Sequence, residues 1–176
     1  MGIIFAGRMR RLGRGADEGM NYLDPGTGLT IRAMALGDLD RVVAIASSLQ
    51  TAPHWGRSAY EDAIASGNEP RRIALVAERS GEVIGFAVVR VVPPSAEIET
   101  IAMEGRVQGF GFGSSLLLAM LEELKLAGVS EVELEVRVSN ERVLRVYGRA
   151  GFVEVGRRRG YYADPVEDAV LMRREL

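Results

Sequence analysis

Seven residues, Gln108-Gly109-Phe110-Gly111-Phe112-Gly113-Ser114, stand between a strand-like stretch, Glu97–Met103, and a helical one running from about Gly111 to Ala127. Glycines let a backbone come close to a ligand and turn its N–H groups outward. The start of the following helix adds unpaired N–H groups and roughly half a positive charge. Together these make a cradle for phosphate, and the alternative is a flexible loop entering a helix. The dinucleotide pattern G-x-G-x-x-G fails, because Ser114 stands where the third glycine would fall. The P-loop pattern fails because no Lys-Ser/Thr follows. What stands is Q-x-x-G-x-G, carried by Gln108, Gly111 and Gly113.

The rest of the chain sets this loop in an α/β context. Leu29–Met34 reads as a strand, and Gly37-Asp38 opens a helix with Leu39, Val42, Val43, Ile45 and Ala46 on one side. Thr51–Arg57 is a loop. Ser58, with Glu61 three residues on, has the spacing of a capping box for a second helix. Arg72–Glu78 and Val83–Val92 are apolar strands joined by the hairpin residues Arg79-Ser80-Gly81-Glu82. Pro93-Pro94-Ser95 then breaks the chain. After the long helix, which Gly128 stops, Glu131–Val138 alternates strictly, and Asn140–Ala150 is a short helix ended by Gly151. Phe152–Gly156 and Ala169–Met172 read as two last strands around an Arg-rich, Tyr-containing loop. The order β-α-α-β-β-β-α-β-α-β-β predicts an α/β fold, a mixed sheet with helices on both faces.

One domain, residues 27–176, accounts for this pattern; no internal repeat or linker divides it. Residues 1–26 show no lasting period and are expected to be a poorly ordered extension, with Met20 as an alternative start and a basic RNA-binding arm as the functional alternative. The chain has no cysteine and one histidine, which excludes disulfides, thiolate zinc sites and multi-histidine metal sites; no metal is expected. No G-x-S-x-G motif exists to partner His54. The net charge of −2 argues against a globally basic nucleic-acid binder. No apolar run reaches the ~20 residues of a membrane span, and the start lacks a signal-peptide pattern, so the expectation is a cytoplasmic protein with no membrane partner.

The glycine loop following a strand that ends Ile101-Ala102-Met103 resembles the acetyl-CoA motif of the GNAT superfamily of N-acetyltransferases. Leu134-Glu135-Val136-Arg137, Ser139-Asn140, Tyr147 and Gly151-Phe152 fall in that family's order. So do Arg157-Arg158-Arg159-Gly160-Tyr161-Tyr162 and Glu167–Met172, and this last stretch is similar to the RimI type, which acetylates protein N-termini, in particular that of a ribosomal protein. The resemblance spans Leu29 to Leu176. It implies the GNAT fold, a mixed, mostly antiparallel sheet splayed where acetyl-CoA lies. It also implies acetyl-CoA as co-substrate, held by Ile101–Met103, Gln108–Ser114 and Asn140. Two departures stand out: Phe110 replaces a frequent Arg, and Pro53-His54-Trp55-Gly56 replaces the usual Pro-Trp-Ser.

Period two puts Val132, Leu134 and Val136 on one strand face and Glu131, Glu133, Glu135 and Arg137 on the other. Such a row can be a solvated face; the resemblance makes Glu135 the general base, with Glu97 or Glu99 of the preceding strand as competitors. An attacking amine must be neutral: an α-amine is about 10% neutral at pH 7 and a lysine well below 0.1%. A carboxylate takes the proton, a backbone N–H on Ile101–Met103 receives the oxyanion, and an acid protonates the thiolate. The resemblance makes Tyr147 that acid; by position alone it would pack with Val143 and Leu144. Asn140 reads as a helix N-cap and, by resemblance, as a CoA contact. Tyr161 and Tyr162 resemble a peptide-gripping pair, with Trp55 as a substrate wall or a packing anchor. Arg157–Arg159 is a solvated run or an RNA patch. The expected reaction is direct acetyl transfer to a protein's N-terminal α-amine. A small-molecule amine as substrate and a non-catalytic acyl-CoA sensor are the alternatives.

Overall fold

Period-two alternation and helical amphipathicity divide the apolar side chains between the two faces of one sheet. The computed structural model describes residues 9–12, 21–49, 55–65 and 67–176. Among them the strands are β1 (Arg10–Leu12), β2 (Asn21–Asp24), β3 (Leu29–Ala33), β4 (Arg72–Arg79), β5 (Glu82–Val92), β6 (Ser95–Met103), β7 (Glu131–Arg137), β8 (Val153–Ala163) and β9 (Val166–Glu175). The helices are α1 (Leu39–Ser47), α2 (Arg57–Ile64), α3 (Phe112–Leu126) and α4 (Glu141–Arg149). The sheet order is β1-β2-β3-β4-β5-β6-β7-β9-β8. On one face α3 buries Leu116, Leu117, Met120 and Leu124 with Tyr147 of α4 against Leu75, Val89, Val132 and Leu134. On the other, Leu39, Val42 and Ile45 of α1 and Tyr60 of α2 pack on Val76, Phe86 and Val88. Each such fully buried side chain stabilises the fold by about 1.5–3 kcal/mol.

Neighbouring strands pair antiparallel except β6 and β7, which are parallel and matched only from Ser95↔Glu131 to Ile98↔Leu134. Beyond that point β6 stays paired to β5 as far as Met103↔Gly85, and β7 stays paired to β9 as far as Arg137↔Ala169. The two strands therefore part, leaving facing main-chain edges at 99–103 and 135–137. The parting coincides with a bulge in β6: Val88 pairs with Thr100 and Val89 with Ile98, so Glu99 is the extra residue. A bulge increases local twist and swings a strand away from its neighbour. Gly85 keeps this region closely packed, since a Cβ there would meet the Met103 thioether and lie 2.7 Å from the Ala102 carbonyl oxygen.

Three expectations change. Among the described residues the 1–26 stretch contains two strands; Tyr22 of β2 is buried, and its hydroxyl donates to Glu123 of α3 at 2.6 Å, so for 10–12 and 21–24 the expectation of poor order is corrected. The second helix begins at Arg57, with Gly56 as its N-cap and no side-chain cap bond, so Ser58 is not the cap. The last two strands are much longer than Phe152–Gly156 and Ala169–Met172: β8 and β9 form a hairpin in which Arg157–Arg159, Tyr161 and Tyr162 sit on a strand. Pro53 and His54 lie outside the described residues. No helix among the described residues is long and apolar enough to cross a membrane.

Candidate active site

The glycine loop closes the wide end of the cleft between β6 and β7. A 3-10 turn at Gly105–Val107 leads into it, and Gln108 Nε2 donates to the Met103 carbonyl at 3.0 Å, tying the loop to the end of β6. Gly109 (φ 96°) and Gly111 (φ 88°) are left-handed, a conformation other residues adopt only under strain. Gly111 is the N-cap of α3, so the first-turn amides of Phe112 and Gly113 have no helical acceptor behind them. Phe112 is buried in the core, whereas Phe110 is 71% exposed and stacked on it at 6.1 Å. Ser114 donates its amide to the Gly111 carbonyl as the helix begins. Arg142 of α4 reaches over the loop: a Cβ on Gly109 would lie 3.1 Å from its Nη2. Arg142 makes no ion pair among the described residues, and nothing in the sequence besides its place two residues after Asn140 brings its guanidinium to the anion cradle. These groups suit a phosphate-bearing ligand, and the unpaired edge of Ile101–Met103 suits an amide-bearing chain laid along it.

Glu135 stands on β7 just past the point where β6 and β7 part, with a side chain 18% exposed. Arg158 of β8 forms an ion pair with its Oε1 at 2.7 Å, and Tyr161 stands beside the same carboxylate. These partners cross over β9 because β8 is irregular: Arg158 pairs with Ala169 and Tyr162 with Glu167, so three residues bulge out opposite one. The bulge turns on Gly160 (φ 58°), whose N–H donates to Asp168 Oδ1 at 2.8 Å. The neighbouring Glu135 carboxylate, then burial, raises the Tyr161 phenol above its ordinary pKa. Burial, then the Glu135 charge, raises that of Tyr162.

The competing carboxylates are occupied from the other side. Arg72 of β4 holds Glu99 with two bonds, at 2.7 and 3.0 Å. Arg90 of β5 holds Glu97. Glu133 pairs with Arg173 at 2.6 Å and Glu131 with the same residue at 3.4 Å, the solvated role expected of both.

Tyr147 lies in the core against Phe152, ring centroids 5.5 Å apart, so the packing reading holds for its ring. Its hydroxyl has no hydrogen-bond partner among the described residues and is not sealed away, unlike that of Tyr60. Burial, then the neighbouring Tyr162, raises its pKa, so it carries its proton at neutral pH. Asn140 caps α4 through Oδ1, which accepts from Val143 N–H. Trp55 packs on Tyr60 at 5.4 Å, which gives it an anchoring contact.

Arg137 shares the face of Glu135. It donates to the Asp164 and Pro165 carbonyls and pairs with Glu167, while its guanidinium lies 4.1 Å from the Tyr162 ring centre. It thus clamps the hairpin that presents both tyrosines. Period two had put it on that face, but only the fold shows what it grips.

Among proteins of known kind, the chain is 32% identical over 145 residues to the [ribosomal protein bS18]-alanine N-acetyltransferase of Escherichia coli (strain K12), covering 81% of this chain and 95% of that relative. It is 33% identical over 152 residues to the N-alpha-acetyltransferase RimI of Mycobacterium tuberculosis (strain ATCC 25618 / H37Rv), covering 84% and 92%. The crystal structure of the ribosomal-protein-S18-alanine N-acetyltransferase from Escherichia coli superposes with a TM-score of 0.74 at 30% identity, over 84% of this chain and 93% of that one. The open strand pair and the loop beside it lie in or border the region, residues 41–152, that matches the Acetyltransferase (GNAT) family model, and the chain belongs to that family.

Proposed function

We propose that this protein transfers the acetyl group of acetyl-CoA directly to the N-terminal α-amine of a protein. A ribosomal protein is the substrate suggested by the relatives' names. The observation that carries the reading is the convergence on Glu135, just past the point where β6 and β7 part, of a hairpin bearing Tyr161 and Tyr162. Acetyl-CoA supplies a thioester carbonyl and a thiolate leaving group. Gln108–Ser114, with Arg142, hold its phosphates, the Ile101–Met103 edge holds its amide-bearing arm, and Asn140 adds a polar contact.

Glu135 takes a proton from the amine, whose lone pair then attacks the thioester carbon. A carbon–nitrogen bond forms and the carbon–sulfur bond breaks. Of the two protons the ammonium loses, one leaves through Glu135 to solvent; the other, shed by the nitrogen after attack, replaces the one that Tyr147 gives to the thiolate. A main-chain N–H of Ile101–Met103 receives the oxyanion between these steps. The phenol carries its proton at neutral pH, so a proton is available there as the thiolate departs.

The test is a competition at equal concentration between an Ala-initiated peptide, spermidine, an aminoglycoside and an N-blocked lysine peptide, read by mass spectrometry. Fastest acetylation of the free peptide terminus is expected. Faster turnover of any of the other three overturns the reading.

A further inference from the structure

Glu135 is to take a proton, yet a cation already sits on it. The carboxylate is held by Arg158 at 2.7 Å, with Tyr161 beside it. Arg158 differs from the arginines on neighbouring carboxylates. Arg72 grips Glu99 with two bonds at 26% and 14% side-chain exposure. Arg137 is spread over two carbonyls, Glu167 and the Tyr162 ring at 14% exposure. Arg158 is 55% exposed, makes one ion-pair contact, and otherwise lies over the Tyr161 ring at 5.5 Å. It stands on the edge strand, beside the bulge at 159–161. An exposed single-contact pair of this kind is cheap to open.

We infer that Arg158 is a placeholder cation, which pairs with Glu135 in the free enzyme and gives way to the substrate's α-ammonium when that docks on the same carboxylate. The inference rests on Glu135 being the base. The amine then enters in its charged form, the abundant one at neutral pH. Its proton passes from nitrogen to the Glu135 carboxylate within the pair, leaving a neutral amine and a protonated acid. The nearest other carboxylates are Glu133 on its own strand and Glu97, which pairs with Glu133 in the joined part of the seam. The other groups around it are Arg137 on β7 and Tyr161 and Tyr162 on β8, with Tyr147 of α4 behind Tyr162. Arg158 is thus a positioning residue whose departure is part of substrate entry.

The test measures kcat and KM for an Ala-initiated peptide from pH 5.5 to 9 in the wild type, Arg158→Gln, Arg158→Lys and Glu135→Gln, with melting temperatures and acetyl-CoA Kd alongside. Removing a nearby positive charge raises a carboxylate's pKa, so the acid limb of kcat/KM moves to higher pH in Arg158→Gln. At pH values above that limb its peptide KM falls or holds, because nothing need be displaced. Arg158→Lys restores the limb, and acetyl-CoA Kd is unchanged throughout. An unmoved limb in a folded Arg158→Gln, or a tenfold rise in KM above the limb, overturns the placeholder role and makes Arg158 a structural or substrate-gripping residue. Full activity in Glu135→Gln overturns instead the base assignment on which the inference rests.

Discussion

Gln108 Nε2 and the main-chain oxygen of Met103 are 3.0 Å apart, a single bond that joins the glycine loop to the last residue of β6. The loop amides and the Ile101–Met103 edge would grip different parts of one ligand, so their relative placement depends on this link. Gln108→Ala is expected to weaken acetyl-CoA binding about tenfold by calorimetry. The fold should lose only about 1 kcal/mol, the usual worth of one hydrogen bond. Arg142→Ala should weaken the same Kd and also reduce its salt dependence, as for a lost phosphate contact. Unchanged affinity in both variants would move the ligand out of this loop.

Acid–base assignment makes a separate claim. Glu135→Gln and Tyr147→Phe should each lower kcat by about a hundredfold or more, the range of general acid–base roles. Acetyl-CoA Kd should hold, since neither side chain lies in the loop. Loss of activity in Glu97→Gln or Glu99→Gln, with Glu135→Gln active, would shift the base to β6.

Acid stability should report on Asp38. Burial alone would raise its pKa, but the Arg32 guanidinium, at 2.7 and 2.9 Å, and the Ala35 N–H hold it below the usual carboxylate range. A carboxyl depressed in the folded state stabilises fully above its unfolded pKa, and that contribution is lost as pH falls through the folded value. Thermal melts should therefore weaken steeply below about pH 4. Asp38→Asn should cost about 2 kcal/mol at pH 7 and flatten that acid limb. An equally steep limb in the variant would assign it to other carboxylates.

The Tyr60 hydroxyl is fully buried without a hydrogen-bond partner among the described residues, between Trp55 and Phe86. Burial pushes its pKa up to about 12. A buried hydroxyl without a partner costs about 1–3 kcal/mol. Tyr60→Phe keeps the ring packing and should leave stability unchanged or higher by about 1 kcal/mol in denaturant melts. A loss of 2 kcal/mol would mean the hydroxyl has found a bond.

How far the sequence reached varies with the kind of signal. Residues 131–137 show strict alternation, and the observed burial follows it residue by residue. Ser80-Gly81 reads as a hairpin turn, and both residues are left-handed there. Tyr22 lies in a stretch without period because β2 has four residues, too few to show one, and its burial comes from α3 a hundred residues away. The long hairpin hid for a related reason: nearly all of β8 is exposed, so no apolar face marks it. Local pattern brought Glu135 and Tyr161 into view separately, but their meeting depends on the bulge at Gly160 and on a carboxylate eight residues further on.

The sheet is joined across its middle by four residue pairs. That seam divides six strands on one side from three on the other, and every hydrogen bond left unmade at 99–103 lowers resistance to hinging there. A chain with its own amides, laid along this edge, would act as a length of additional strand and lengthen the seam. Acetyl-CoA would then be a structural brace as well as a reactant. Those amide protons of Glu99–Met103 that face away from β5 would exchange slowly only while it is bound, and release of the spent carrier would restore the play through which the next one enters.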